Sequence, residues 1–363
     1  MMTLACFPLL TAADWPVFRG NSAMTGLADT EIKGELDVAW TFKTGNAIDS
    51  TPVVVNGVVY VGSADKHVYA VDFATGLQKW KTPLGSPVRA APGVKDGRVY
   101  LGDVDGKFHC LDAATGKIIW SFEAKQEIVS GCNFFEDKIL FGSNDGCLYC
   151  LNADGKQQWA FSIDQPINGS PAVANGYSFI AGCDEILHVI DLKTGKEVGQ
   201  VGIGGPAGAT AAVAGKMVYV GTMSNQVIAV DLTKPEAPTK SWTFEAAKRQ
   251  QPFYSSAAVT DSLVILGSRD KRLYALNRKT GQEAWSFPTD SMIDSSAVVL
   301  GDSVYFGSAS TDGNFYCLEL KSGKKKQEML LDSAITSSPA VGPNAILVGT
   351  EKGTLYCLKG VTK

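Results

Sequence analysis

The segment YAVDFATGLQKW (69–80) returns as HCLDAATGKIIW (109–120), YCLNADGKQQW (149–159) and YALNRKTGQEAW (274–285). Looser copies are HVIDLKTGKEVG (188–199), IAVDLTKPEAPTKSW (228–242) and YCLELKSGKKKQ (316–327), and a last one, YCLKG (356–360), stops short. A period of about 40 residues built from short alternating runs is that of a four-stranded propeller blade, not of a helical repeat. Helical periodicity is not evident in the repeats.

Each copy resolves into four strands. The first reads like SSPAV (337–341) and the second like VVYVGS (58–63). A turn such as Asp145-Gly146, a hairpin signal, leads to a third strand of the LYAL type. An Asp-x-x-Thr-Gly turn then opens a fourth strand of the W-x-F type, as in Trp120-Ser-Phe122. First strands occur eight times, around Thr51, Ala91, Gly131, Ser170, Thr210, Ser256, Ser296 and Ser338. The C-terminal copy lacks its fourth strand, whereas DVAWTFKT (37–44) is an orphan fourth strand near the start. The expectation is therefore an all-β chain. A single eight-bladed β-propeller of four-stranded antiparallel blades covers 36–363, its ring closed by the N-terminal strand so that no sheet edge is left open. Trp40, Trp80, Trp120, Trp159, Trp242 and Trp285 are the expected docking side chains between blades, with Gly199 and Gln327 replacing Trp in two copies.

Aligned first strands show one apolar column (Ile48, Val88, Ile128, Ile167, Ala207, Phe253, Ile293, Ile335) and columns of small residues such as Ser50-Thr51 and Ser337-Ser338. Small side chains suit strands that converge on an axis. Between them runs a variable column: Asp49, Arg89, Val129, Asn168, Gly208, Tyr254, Asp294 and Thr336. Its variability marks Asp49, Arg89, Asn168, Tyr254 and Asp294 as candidate channel-mouth binding residues; plain surface variation is the competing reading.

The C-x-x-C at Cys147 and Cys150 looks like chemistry but falls within a strand. Residues three apart on a strand point to opposite faces, so the thiols should diverge rather than share a metal or a disulfide. His109 and His188 occupy the repeat's Tyr position and read as strand residues filling a structural slot. Gly202-Ile-Gly204-Gly-Pro-Ala207 mimics a dinucleotide fingerprint, but Pro206 and another strand follow where a helix is required.

A net charge of −4 and a pI of about 5.5 imply no basic surface for nucleic acid. The only tight basic run, Lys324–Lys326, follows a Ser-Gly turn and reads as a solvated loop. No apolar run reaches the roughly 18–20 residues of a membrane-spanning helix. The opening MMTLACFPLLTAADW is apolar, and Thr11-Ala12-Ala13 resembles a cleavage site, although no basic residue precedes Arg19. Residues 1–13 are thus expected to be a short or truncated signal peptide. Thr3-Leu4-Ala5-Cys6 is a poor lipobox, which makes a lipid anchor on Cys6 the weaker expectation.

The repeat A-x-D-x-x-T-G-x-x-x-W resembles the tryptophan-docking motif of pyrroloquinoline-quinone (PQQ) propellers over about residues 36–360. Asp14-Trp15-Pro16-Val17-Phe18-Arg19-Gly20, within a segment spanning 14–35, is similar to the W-P-x-F-R-G stretch that precedes such propellers in exported bacterial proteins. The resemblance implies a periplasmic or extracellular protein. Its family holds both quinoprotein dehydrogenases and non-catalytic members, among them the propeller lipoprotein of the outer-membrane β-barrel assembly machinery. The dehydrogenases are longer, carry an adjacent Cys-Cys disulfide over the cofactor, and hold calcium with Glu, Asn and Asp beside an Asp base. This chain has no Cys-Cys dipeptide, and no calcium site assembles from Asp49, Asn168 and Asp294. The expectation is a binding or protein-interaction scaffold, monomeric, with envelope proteins as partners and no cofactor, metal or catalytic residues. The alternative is a PQQ-dependent dehydrogenase or a carbohydrate-handling enzyme using the central channel. A third expectation is structural: the W-P-x-F-R-G segment plugs one channel mouth.

Overall fold

The computed structural model describes residues 14–246 and 250–362. The expected signal peptide over 1–13 and Cys6 lie outside the described residues. Eight antiparallel sheets stand around one axis as the blades of a propeller, their innermost strands in contact from blade to blade. Blade 1 consists of Val53–Val55, Val58–Ser63, His67–Asp72 and Gln78–Pro83, and blades 2 to 7 repeat that order. Blade 8 takes Ala340–Gly342, Ala345–Gly349 and Thr354–Val361 from the end of the chain and Glu35–Lys43 from its start. In that closure Trp40 lies opposite Cys357 and Phe42 opposite Leu355. No helix among the described residues is long and apolar enough to cross a membrane.

Two boundaries differ from the sequence reading. Strand pairing starts after the small-residue pairs, at Val53 rather than Ser50 and at Ala340 rather than Ser337. Near the axis the backbone bonds to the next blade instead of to its own sheet. Lys325 and Lys326 are not in a loop; they open the outermost strand of blade 7, Lys325–Leu330, where Lys326 Nζ pairs with Asp302 Oδ1 at 3.0 Å.

Burial follows strand position. Central strands such as Val58–Ser63 and Cys147–Leu151 are buried almost throughout. Outer strands such as Ile118–Glu123 alternate exposed with half-buried residues, as expected for a sheet with one wet face.

Blades dock through one recurring contact. Each outer-strand indole lies against the glycine of the next blade's Asp-x-x-Thr-Gly turn or its equivalent, and five of the six donate the Nε1–H to a carbonyl there. The bonds are Trp40 to Phe73 O and Trp80 to Ala113 O at 2.9 Å, and Trp120 to Ala153 O, Trp242 to Arg278 O and Trp285 to Leu320 O at 3.0 Å. Gly76, Gly116, Gly155, Gly195, Gly281 and Gly323 are the glycines, all at positive φ. Trp159 sits on Gly195 in the same way, but its Nε1 has no partner. The turns are fastened locally: Asp72 Oδ1 accepts both the hydroxyl and the amide of Thr75, which holds the Asp72 carboxyl below the usual carboxylate range.

The two copies without Trp compensate differently. At Gly199 the next blade's turn has Pro235 in place of glycine, and the Pro235 carbonyl takes up the room a Cβ would need. Gln327 clamps the closing strand by accepting the Leu36 N–H at 2.8 Å and donating to Leu36 O at 2.7 Å.

Gly116 and Gly57 separate two effects. Both have φ near +70°, but a Cβ at Gly116 would meet the Trp80 ring at 2.6 Å, whereas at Gly57 nothing lies within 4 Å. A left-handed backbone costs a non-glycine residue roughly 1–3 kcal/mol. Gly116→Ala is expected to lose more stability than Gly57→Ala in urea unfolding, because it also unseats the indole. Equal losses would show that the seat contributes nothing beyond backbone strain.

Candidate functional site

The axis of the ring is a blind lumen of about 180 Å³. All eight members of the variable column line it, so the candidates Asp49, Arg89, Asn168, Tyr254 and Asp294 surround one cavity together with Val129, Gly208 and Thr336. Along each first strand alternate residues face the lumen, which gives it two tiers. The variable column forms the upper tier. The lower tier is Thr51, Ala91, Gly131, Ser170, Thr210, Ser256, Ser296 and Ser338, with Phe18 against Gly131.

The upper tier is charged but internally matched. Arg269 grips Asp294 with both ends of its fork (Nε to Oδ1 2.9 Å, Nη2 to Oδ2 2.8 Å) and lies 3.9 Å from the centre of the Tyr254 ring. Asp294 is the first cause of the rise in the Arg269 pKa. Arg89 stands 3.8 Å from Asp49. Asn168 contacts Cys183 Sγ, and the Tyr254 hydroxyl contacts Met223 Sδ, each at 3.5 Å. The sequence reading missed Cys183, Met223 and Arg269, which come from the turn between second and third strands. Aligning that turn would have placed Cys183, Met223 and Arg269 in one column with Ala64.

The lower tier is a hydrogen-bonded hoop. Each hydroxyl accepts the backbone N–H of the preceding blade: Ser170 from Gly131 (2.9 Å), Thr210 from Ser170 (2.8 Å), Ser256 from Thr210 (3.0 Å), Ser296 from Ser256 (2.9 Å), Ser338 from Ser296 (3.0 Å) and Thr51 from Ser338 (3.3 Å). The hoop opens where Ala91 and Gly131 carry no hydroxyl, and Phe18 packs at that gap.

Residues 14–28 run beneath the lumen, around the opposite end from the charged tier. Trp15 bridges Val54, after which carbonyls in turn accept the inner-strand amides of successive blades: Pro16 from Val94, Ser22 from Val173, Ala23 from Val213, Thr25 from Val259 and Gly26 from Val299. In blade 3 the Asn133 side chain bonds Ser22 O at 2.7 Å instead. Leu27–Ala28 then pairs in parallel with Val298–Leu300. Arg19, 1% exposed, reaches the carbonyls of Ser296 (2.9 Å), Ala297 (2.6 Å) and Ala257 (3.2 Å). Burial pulls its pKa down to about 9, so it remains charged at neutral pH.

The other singled-out residues lie outside the lumen lining. His109 is held between Asp103 (3.0 Å) and Ser121 (2.9 Å), and His188 between Asp184 (2.7 Å) and Glu197 (2.5 Å). Tyr69 and Tyr149 fill the same slot by donating to Asp65 and Asp145. Cys150 is fully buried opposite Trp159 and Leu140, whereas Cys147 is half-exposed beside Ser162, and no described cysteine is paired.

The model of the family described as outer membrane protein assembly factor BamB matches residues 37–134, 105–198 and 144–363. No curated protein sequence gives a significant match. Among solved structures, BamB from Moraxella catarrhalis superposes with a TM-score of 0.74 at 19% identity, over 89% of this chain and 99% of that one. The quinohemoprotein alcohol dehydrogenase of Comamonas testosteroni gives 0.80 at 16% identity, over 97% of this chain and 81% of that one. A europium-containing methanol dehydrogenase gives 0.74 at 14% identity, over 96% and 98%. These likenesses are of fold.

Two outcomes are expected from this geometry. Removing residues 14–26 should lower the melting temperature, since it strips hydrogen bonds from seven blades; an unchanged melt would mean the ring does not depend on the segment. In native protein, iodoacetamide should modify Cys147 well before Cys150, whose thiol burial pushes up to about 12. Equal rates, or a Cys147–Cys150 disulfide in the mass spectrum, would contradict the opposed strand faces.

Proposed function

Because this chain belongs to the family described as outer membrane protein assembly factor BamB, we propose that it is a non-catalytic, monomeric propeller serving as a binding scaffold in the bacterial envelope. The observation that carries this reading is the state of the charged groups in the lumen. Asp294 is held bidentately by Arg269 and Asp49 lies beside Arg89. A carboxylate gripped at both oxygens by an arginine fork is already engaged, and is not free to turn towards a substrate.

The lining does not fit the cofactor that the dehydrogenase branch of the fold uses. Calcium takes six to eight oxygens. The lumen offers the Asp49 and Asp294 carboxylates and the Asn168 amide from separate blades, with Asp294 already held by Arg269 and Asn168 turned to Cys183. Its volume of about 180 Å³ is below the ~300–1,000 Å³ of sites that enclose cofactor-sized ligands.

The two ends of the ring are unequal, and this favours the charged rim as the contact surface. The opposite end is already covered by residues 14–28. On the rim, Tyr254 is pinned beneath Arg269, so an aromatic and a guanidinium, both over-represented among binding hot spots, are held in place before any partner arrives.

Envelope fractions crosslinked before lysis provide the test. Wild-type protein should retain a defined partner that an Arg89→Ala/Tyr254→Ala variant loses at an unchanged melting temperature. Equal capture by both would remove the rim from consideration. Incubation with PQQ and calcium should give no dye reduction with alcohols or sugars above a protein-free control; reduction above it would overturn the non-catalytic reading.

A further inference from the structure

The lower tier of the lumen carries donor capacity that the protein itself does not use. The six hydroxyls of Thr51, Ser170, Thr210, Ser256, Ser296 and Ser338 each accept one backbone N–H. None donates to an acceptor among the described residues, although each residue is at least 94% buried. A hydroxyl has one proton to give as well as lone pairs to fill. Six such protons therefore surround a cavity that contains no protein acceptor at that level. Thr336 Oγ1, in the tier above, is also buried without a partner.

A second observation concerns charge. Arg19 is buried beneath this tier and bonds only carbonyls, with no carboxylate within ion-pair distance among the described residues. Its guanidinium lies 6.0 Å from the centre of the Phe18 ring, and Phe18 lines the lumen. A buried cation without a counter-charge is costly even where its N–H groups find carbonyls. At the mouth of the lumen Arg89 and Arg269 are matched by Asp49 and Asp294. Arg19, bonded to the carbonyl of the hoop residue Ser296, has no such partner.

We propose that the lower tier is a binding site for one small monovalent anion of halide size, held by the hydroxyl hoop above Arg19. The cavity of about 180 Å³ has room for such an ion with several waters, at ~30 Å³ for each water. The anion would accept the free hydroxyl protons and balance Arg19, joining the N-terminal segment to the blades that supply the hoop. Asp49 and Asp294 at the mouth would oppose its entry, but each has its own arginine.

Bromide is the probe. Crystals of the full chain soaked in sodium bromide should show an anomalous peak on the axis within hydrogen-bond distance of the hoop hydroxyls. Axial density without anomalous signal, meaning water alone, overturns the proposal. In solution, melting temperature should rise saturably with bromide over gluconate at matched ionic strength. Arg19→Met should need at least tenfold more bromide for half the rise. Thr210→Val, which removes one hydroxyl donor at nearly constant shape and also the acceptor of the Ser170 N–H, should lower the melting temperature without bromide and weaken bromide binding severalfold, and it serves if the Arg19 variant does not fold. A bromide dependence unaltered in the variants would place the effect elsewhere and overturn the site.

Discussion

An indole resting on a glycine fixes the spacing of this ring. The blade-to-blade distance is set where a flat ring meets a turn that cannot carry a Cβ, and the Nε1–H bond to a nearby carbonyl fixes the angle. Six of the eight blade interfaces repeat that wedge, and the other two fill the same place with different groups. The departures support this view. Where the indole is missing at Gly199, the neighbouring turn moves in with Pro235; where it is missing at Gln327, an amide takes over both hydrogen bonds of the closing strand. The contact itself is replaceable, but the interval it maintains is not.

Much of this was legible before any coordinates. Trp and Gly recur with the blade period because the wedge needs both, and the orphan strand carrying Trp40 could only belong to an incomplete blade. The Asp49 column was legible as lying near the axis because it alone varied between columns that did not. Other features were hidden for definite reasons. Residues 14–28 bind the blades mainly through backbone carbonyls, which leave no pattern in side chains. The small-residue columns were read for size, and by size Ser170 and Ala91 are equivalent; only the bonding distinguishes them. Burial of Arg19 could not be read from a segment with no repeat partner to align it with. Charge and a preceding turn suggest a loop at Lys325, yet an outer strand is wet enough to accommodate lysine.

The same ring supports BamB and quinoprotein dehydrogenases, so architecture alone leaves function open. What separates such proteins physically is the lining of the axis. Here the upper tier neutralises its own charges and the lower tier uses its hydroxyl oxygens to join blades. A side chain engaged in holding the ring together is less available for chemistry, and one held rigid at the rim is better suited to contact.

The closing blade joins the first strand made to the last. Trp40 faces Cys357 across nearly the whole length of the chain, and Leu27–Ala28 waits for Val298–Leu300. During synthesis, the early strand has no partner until the final blade emerges. The growing chain must therefore exist for a time as an open arc with exposed edges at both ends, the state in which sheet proteins most readily aggregate. Contacts of such long sequence separation also make closure slow. A protein built this way depends on whatever shields that arc, so its vulnerability lies in the interval before the circle is complete.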